Sequence, residues 1–410
     1  MSQHAPSQLS VVIGEWRQSW RPGVAALVGG AVSYSLWSAV SSLFIEPLQA
    51  AFGWSRGEIA LVHAFGIATA FAAPVIGALV DRRGARTVLT IGLCMTAALY
   101  LAFATMTGSL TQYYITYFLF SATGYTSTGI TFTRIISGSF EKSRGSALAI
   151  ARAGLAISGA IMPLLLHPVL DRFGLPGGYI LLAAFLLFVA LPLTLLWVPG
   201  RTPPAATGTA PDQRTGRWRL LVREPKIRVL TLAALLNYMP VVTLLSQMKP
   251  LAVDKGLSAG LAVGAVSMMG LAAAAGALLS GVLVDRFWAP AVAFVLNALP
   301  AIGCLFLLQS DVPPILFYGA VLLIGVGQGA EIDIVAFMIA RYFGLRDYGA
   351  IYGLTTLGIA LAVALGASLI GHVYDLYHSY DPALIGCSLS FALAAFMYLA
   401  MGRYPKETAA

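Results

Sequence analysis

Four ionisable side chains interrupt stretches of sequence that are otherwise apolar, namely Arg134, Arg152, Glu331 and Asp333. A guanidinium group can hold a carboxylate through two parallel N–H donors. A carboxyl group shielded from water can bind and release a proton in the working pH range. The four charges sum to zero, so they could also form internal ion pairs that hold parts of the fold together. The residue types therefore indicate either anion binding with proton exchange or a set of structural salt bridges.

The segments that carry these charges are long and apolar. Of the 410 residues, 58% are hydrophobic and only 10% are charged, whereas soluble domains carry about 25% charged residues. Twelve runs are close to or above the roughly 20 residues that an α-helix needs to cross a lipid bilayer, where helices satisfy their own backbone hydrogen bonds. The sequence therefore predicts an all-α polytopic membrane protein. We number the runs as spans 1 to 12, at about 23–49, 57–81, 87–106, 112–138, 145–169, 177–198, 227–250, 260–284, 289–309, 313–340, 349–372 and 381–401.

A polar stretch divides the twelve spans into two groups of six. Residues 199–226 are rich in Pro, Thr, Gly and Arg, a composition that predicts a flexible linker. The predicted organisation is an N-terminal segment 1–22, a six-helix bundle 23–198, this linker, a second six-helix bundle 227–401 and a C-terminal segment 402–410.

Basic residues are distributed unequally between the two sides of the predicted membrane. Nineteen Lys and Arg residues lie on the side that holds both termini, and four lie on the opposite side. The positive-inside rule therefore places both termini in the cytoplasm, and we expect a multi-pass protein of a bacterial inner membrane. The asymmetry accounts for the net charge of +8, so no nucleic-acid partner is needed to explain it.

Several phrases occur twice at nearly the same offset. GALVDRRG at 77–84 returns 204 residues later as GVLVDRFW at 281–288. EPLQAAFGWS at 46–55 returns as KPLAVDKGLS at 249–258, and Tyr34 and Tyr238 are again 204 residues apart. Repetition at a fixed offset indicates duplicated structural units. The two six-helix bundles are therefore expected to be pseudo-symmetric.

Two six-helix halves, a basic linker and the phrase GALVDRRGAR between spans 2 and 3 resemble the major facilitator superfamily over the whole chain. The resemblance implies a transporter rather than an enzyme, with substrate held near the membrane midplane between the two halves. It also implies a monomer, and no cofactor or metal site is expected.

The resemblance also implies a cytoplasmic gate built from the repeated phrase. Asp81 can lie near a helix N-terminus, while Arg82 and Arg86 can pair with acids across the loop. The arginines could instead serve only to fix topology. The second copy contributes Asp285 and Arg286.

A finer resemblance concerns one branch of this superfamily. GWSRGEI after span 1, FEKSRGSALAIARAG entering span 5 and GAEIDIVAFMIARYFGLRDYGAIYG through spans 10 and 11 are similar to bacterial relatives of monocarboxylate transporters and oxalate–formate exchangers. Span 8 lacks the Asp/Arg pair of the monocarboxylate carriers, and the basic residues of the oxalate exchangers in spans 8 and 11 are absent. The expected function is transport of a small organic anion with a proton. Export of amphipathic compounds and exchange without a proton are the alternatives.

The depth of each ionisable residue within its span indicates the function expected of it. Arg152 is expected to bind substrate, or else to pair with Glu331, and Arg134 is expected to form a gate with Asp333 or Glu331. Glu331, Asp333 and His63 are the candidates for proton coupling, although His63 could instead be a hydrogen-bonded packing residue.

Polar and aromatic side chains of the cavity-facing spans could contact the substrate, because a hydroxyl or amide group can donate to a carboxylate while a ring packs against its hydrocarbon part. Each of them could instead pack between helices. Glu46 and Glu58, at the outer ends of spans 1 and 2, are expected to be solvated. The candidates for the cavity are Tyr34, Trp37, Tyr125, Asn237, Tyr238, Gln247 and Gln328.

Overall fold

The structure is a computed structural model of the chain. Every regular element in the part of the chain that it describes is helical, which confirms the all-α prediction. The described residues are 8–66, 75–76, 79–80, 82–140, 143–200, 223–309, 311–343 and 348–404.

The helices of spans 1 to 6 are frequently interrupted. In span 4, Thr128 has an extended backbone, with φ −94° and ψ −177°, and separates two helical pieces. Spans 5 and 6 join at Gly174, whose φ of +62° is a left-handed conformation that glycine adopts readily. The helical segments are Gln8–Val32, Tyr34–Leu36, Trp37–Val40, Ser41–Phe44, Ile45–Phe52, Arg56–Ala60, Leu61–Gly66, Ala85–Ala104, Leu110–Gly124, Tyr125–Ser127, Gly129–Ser139, Arg144–Phe185, Leu186–Ala190 and Leu191–Trp197.

Spans 7 to 12 are longer and more continuous helices. Pro225 and Pro290 lie in the first turn of their helices, where the missing proline N–H leaves no hydrogen bond unmade. Ser258 caps span 8 by accepting a hydrogen bond from the backbone N–H of Leu261. The six helices are Pro225–Asp254, Ala259–Arg286, Ala289–Phe306, Pro314–Phe343, Tyr348–Tyr377 and Asp381–Leu399.

Nine helical stretches among the described residues are long and apolar enough to cross a membrane. One of them, 153–197, contains the break at Gly174 and corresponds to two predicted spans, 5 and 6. Span 2 extends into residues outside the described part of the chain, and span 4 is broken near Thr128, so neither is among the nine. Ten of the twelve predicted spans therefore correspond to these nine stretches.

The chain forms two compact units. Unit 1 comprises Met1–Ser38, Ala68–Gly159 and Pro168–Ala210. Unit 2 comprises Ala39–Ile67, Ala160–His167 and Pro211–Ala410. The second part of span 1 and the start of span 2 thus pack with the C-terminal half of the chain.

Unit 1 contains a buried cluster of aromatic rings. The ring centroids of Trp37 and Phe103 are 6.4 Å apart and stacked, and those of Phe103 and Tyr179 are 5.2 Å apart. Offset ring pairs of this kind stabilise a core beyond the area they bury. The cluster comprises Trp37, Tyr100, Phe103, Tyr113, Tyr117, Phe120 and Tyr179.

Glycines allow spans 8 and 10 of unit 2 to pack backbone against backbone. A Cβ atom on Gly276 would collide with the carbonyl oxygen of Val326, and one on Gly329 would collide with that of Ala273. No larger side chain fits at either position. This close approach is the usual way in which membrane helices gain packing energy.

The repeated phrases EPLQAAFGWS and KPLAVDKGLS adopt the same local structure. Gly53 and Gly256 both have positive φ, at +70° and +88°, and each follows the end of a helix. Ser55 and Ser258 then both cap the next helix with their side chains. The sequence repeat is thus also a structural repeat at this point of the chain.

Candidate functional site

An ion pair joins the end of span 1 to span 7 within unit 2. Lys249 Nζ lies 2.6 Å from Glu46 Oε2, and the two side chains are 8% and 32% exposed. Glu46 is therefore paired and only partly exposed, rather than freely solvated as expected. A signal was present in the sequence, because Glu46 and Lys249 occupy equivalent positions of the repeated phrase with opposite charges.

The start of span 2 is capped by a carboxylate from span 11. Asp375 Oδ1 accepts a hydrogen bond from the backbone N–H of Arg56 at 3.2 Å, and Oδ2 accepts one from Gly57 at 2.7 Å. Ser55 and Glu58 form a reciprocal capping box in the same turn, so Glu58 is also engaged rather than merely solvated. Because first-turn N–H groups lack partners within their helix and favour negative charge, Asp375 completes span 2 electrostatically.

The Arg56 side chain connects three elements at the same place. Its guanidinium carbon lies 3.7 Å from the ring centroid of Tyr374 and 5.3 Å from that of Tyr380, and it donates to the Tyr380 oxygen. The Tyr380 hydroxyl in turn donates to Gln247 Oε1 at 3.0 Å. Burial raises the pKa of Tyr380 above its ordinary value, although Arg56 acts in the opposite direction, so the phenol keeps the proton that it donates. Glu46, Lys249, Arg56, Asp375, Tyr380 and Gln247 are called the junction network below.

Two glycines make the junction network compact. A Cβ atom on Gly57 would lie 2.5 Å from Asp375 Oδ2. A Cβ atom on Gly371 would lie 2.7 Å from the carbonyl oxygen of Arg56 and 2.9 Å from Ala60 Cβ. Spans 2 and 11 can therefore approach this closely only because both positions lack a side chain.

A groove of about 570 Å³ lies beside the network, between spans 2 and 11. Its lining includes Leu61, Leu365 and Leu369, which are 43%, 60% and 51% exposed. Large apolar side chains with this exposure on membrane-spanning helices are suited to contact with lipid tails. The groove is nevertheless mixed in character, because Glu58, Ser368, His372 and Asp375 also line it.

The substrate-contact candidates of unit 1 lie near its aromatic cluster. The Trp37 indole N–H donates to the Tyr117 hydroxyl at 3.0 Å, and the side chain is 5% exposed. Tyr34 is half-buried, with its ring centroid 4.9 Å from that of Phe120. Tyr125 is half-buried at the start of the turn Tyr125–Ser127. Their contact with substrate stays a prediction.

The polar candidates of unit 2 differ in burial. Asn237 and Glu331 are each 1% exposed, and neither the Asn237 amide nor the Glu331 carboxyl group has a hydrogen-bond partner. Tyr238, Gln328, Asp333 and His63 are half-buried. Gln247, fully buried, accepts the hydrogen bond from Tyr380. Proton coupling by Glu331, Asp333 or His63 stays a prediction.

The remaining charged candidates are described only in part. The helices at Arg134 and Arg152 belong to the described structure, but their side chains do not, and Asp81 lies outside the described residues. Arg82, Asp285 and Arg286 are exposed.

Arg86 donates a hydrogen bond from its guanidinium group to the carbonyl oxygen of Leu195. This contact ties the start of span 3 to the end of span 6 inside unit 1. Among the described residues, no group of three or more His, Cys, Asp or Glu side chains could hold a metal ion.

Two known proteins are similar to this chain over most of its length. The chain is 27% identical to Monocarboxylate transporter 11 of Mus musculus over 95% of its own length and 88% of that protein. It is 23% identical to the Agnestins efflux protein AgnL12 of Paecilomyces divaricatus over 84% of its own length and 78% of that protein.

The fold is that of a solved membrane transporter. The crystal structure of a mutant of the nucleoside transporter NupG superimposes with a TM-score of 0.79 at 13% identity, over 93% of this chain and 100% of that one. The model of the Major Facilitator Superfamily matches residues 26–367. The chain has the all-α, multi-pass fold of two six-helix bundles and is a transporter rather than an enzyme, and it belongs to the Major Facilitator Superfamily.

Proposed function

We propose that this chain is a secondary transporter that moves a small organic anion of the monocarboxylate kind across the membrane together with a proton, by alternating access. The observation that carries the substrate class is the similarity to Monocarboxylate transporter 11 over 95% of the chain. The distribution of basic residues supports the proposed orientation, with both termini in the cytoplasm. A monomer in a bacterial inner membrane is part of the same proposal.

Arg152 of span 5 is the proposed anchor for the substrate carboxylate. A guanidinium group offers paired N–H donors that match the two carboxylate oxygens. Holding a charge within a membrane span costs about 3 kcal/mol on the insertion scale, and a bound anion offsets part of that cost. Tyr34, Tyr125, Tyr238 and Gln328, all half-buried, supply the remaining polar contacts in this proposal.

The junction network is the proposed latch of the extracytoplasmic end. It joins spans 1 and 2 to spans 7 and 11 by one ion pair, one carboxylate cap and one arginine between two rings. Each of these contacts has a defined partner that must be released before the spans can separate. Asp81, Arg82, Arg86 and Arg134, with Asp285 and Arg286, are proposed to serve the cytoplasmic end.

Glu331 is the proposed proton carrier. Its carboxyl group is 1% exposed and has no hydrogen-bond partner, so an ionised form at this position lacks compensation. Binding a proton removes the charge. Release of the proton then requires that span 10 come into contact with water or with a cation during the transport cycle. Asp333 and His63 are the other candidates for this role.

Export of an amphipathic compound is the second candidate function. It is favoured by the similarity to the Agnestins efflux protein AgnL12 over 84% of the chain. Span 8 also lacks the Asp/Arg pair of the monocarboxylate carriers. Exchange of organic anions without a proton is a variant of the leading proposal.

Uptake into proteoliposomes tests these alternatives. The full chain is reconstituted, and radiolabelled lactate, pyruvate and aromatic acids are offered with and without an imposed pH gradient. We expect the labelled acid to accumulate only when the exterior is acidic, and we expect Arg152→Ala to abolish this accumulation. Arg172→Ala is the control and should keep it, because the Arg172 side chain is exposed beside the break at Gly174. Uptake unaffected by the gradient would favour exchange. Movement of dyes or drugs without movement of acids would overturn the proposal in favour of export.

A further inference from the structure

Three polar side chains of the C-terminal half are buried without hydrogen-bond partners. Asn237 of span 7, Glu331 of span 10 and Tyr398 of span 12 are each 1% exposed. Both polar atoms of Asn237, both carboxyl oxygens of Glu331 and the Tyr398 hydroxyl are unpaired. Buried polar groups almost always find a partner, so a cluster of five unpaired atoms calls for an explanation.

The three side chains act on one another. The Asn237 side chain lies within hydrogen-bonding reach of the Glu331 carboxyl group, although without the geometry of a formed hydrogen bond, and the Tyr398 hydroxyl lies close enough to interact with it electrostatically. The surroundings are apolar, since Ala234, Ala330 and Ile334 belong to the same buried core cluster as Tyr398. Neither salt bridge described in unit 2 involves Glu331.

A proton converts these unpaired groups into a complementary set. A carboxylate can only accept hydrogen bonds, whereas a carboxylic acid also offers one O–H donor. The Asn237 carbonyl can accept from that donor, and the Asn237 amide and the Tyr398 hydroxyl can donate to the other carboxyl oxygen. The protonated form is therefore the one that satisfies all three side chains with small movements.

We propose that Asn237 and Tyr398 are the positioning residues of a closed proton-binding site centred on Glu331. This inference rests on the proposed function and assigns Asn237 to the proton rather than to the substrate. A metal cation fits less well, because hard cations such as Ca²⁺ take six to eight oxygen ligands. The cluster offers two carboxyl oxygens, one amide oxygen and one hydroxyl.

The site lies next to a missing backbone hydrogen bond in the helix of span 7. Pro240 has no N–H, so the carbonyl group of Leu236 lacks its usual helical partner. It accepts a hydrogen bond from Ser390 of span 12 instead, at 2.5 Å. Asn237, the next residue along span 7, therefore borders a place where the helix can bend relative to the span that carries Tyr398. Bending there changes the contacts of Glu331 and couples its proton to the conformation of span 7.

Infrared difference spectroscopy tests the site without any substrate. The purified full chain is titrated, and the C=O stretch of a protonated carboxyl group is recorded. We expect a band that disappears in Glu331→Gln. In Asn237→Leu and Tyr398→Phe, we expect the midpoint of its loss with pH to move by at least one unit, a tenfold change in proton affinity. Ser388→Ala is the matched control, because Ser388 is buried on span 12 but donates to Ala301 instead.

The outcomes separate the two proposals. If organic acids are not transported but the band responds as described, the proton site stands and the substrate assignment fails. If the band is insensitive to Asn237→Leu and Tyr398→Phe, or is lacking at neutral pH in the wild type, the proton site is overturned. Glu331→Asp keeps a carboxyl group at this position, so its band should be shifted rather than absent. Such a shift would show that the loss of the band in Glu331→Gln comes from the missing carboxyl group and not from misfolding.

Discussion

Replacing Asp375 with asparagine should open the latch that joins span 2 to span 11. The carboxylate accepts two hydrogen bonds from the N-terminal turn of span 2, at 3.2 and 2.7 Å. Asparagine removes the charge and turns one acceptor into a donor that faces the Gly57 N–H. Hydrogen bonds to charged groups contribute about 1.5–3 kcal/mol each, and Asp375 is only half-buried. We therefore take about 2 kcal/mol for the change, which shifts the closed-to-open ratio roughly 30-fold.

The assay measures access to a buried position behind the latch. Ser42 is fully buried, at 0% exposure, in the turn Ser41–Phe44 that packs against span 7. Ser42→Cys is placed in a chain whose three cysteines are replaced, and its reaction with a membrane-impermeant maleimide is timed. We expect Asp375→Asn to raise the labelling rate by about 30-fold.

The control keeps the change in charge but moves it away from the network. Asp311 is an exposed aspartate of the loop between spans 9 and 10, and Asp311→Asn should leave the labelling rate unchanged. If Asp375→Asn labels within about threefold of the parent while both proteins have the same thermal stability, the carboxylate cap does not hold this end closed. The role given to the junction network would then be wrong.

Three further substitutions probe the same contacts and the aromatic cluster. Gly57→Ala places a Cβ atom 2.5 Å from Asp375 Oδ2 and should also speed the labelling of Ser42→Cys. Gly260→Ala is the control and should leave the labelling rate unchanged, because no atom lies within 4 Å of its Cβ. Equal labelling rates for the two variants would contradict the packing argument. Lys249→Glu should reduce uptake by about tenfold or more, because it sets two carboxylates together at a cost of about 1–3 kcal/mol. Adding Glu46→Lys should restore uptake. A double variant that transports as poorly as the single one would show that the loss of the ion pair is not the cause. Trp37→Phe should destabilise unit 1 by about 1–2 kcal/mol through loss of the hydrogen bond to Tyr117, measured as a fall in Tm. Trp20→Phe, at a position that is 43% exposed, is the comparison. Equal Tm values for the two variants would contradict a stabilising role of the Trp37 hydrogen bond.

Much of the fold could be predicted from the sequence because the bilayer leaves few choices. Long apolar runs predict helices, and the repeat at an offset of 203 to 204 residues predicts two related halves. The junction network was missed for a physical reason. Glu46, Arg56 and Asp375 lie at span ends, where charge is normally solvated. The repeated phrase carried a signal only for Glu46 and Lys249, and the other contacts arise from the packing of distant segments. The depth of Glu331 in its span did indicate burial, but its neighbours come from spans 7 and 12 and could not be read from span 10 alone.

The contact between Glu46 and Lys249 has a consequence for the history of the chain. Glu46 and Lys249 occupy equivalent positions of the repeated phrase, so two identical copies of that phrase in this contact would oppose glutamate to glutamate or lysine to lysine. Attraction at this spot became possible only once the copies differed. A homodimer built from either half alone would bring like charges together wherever it formed the same contact, and a neutral residue at that position would remove the repulsion.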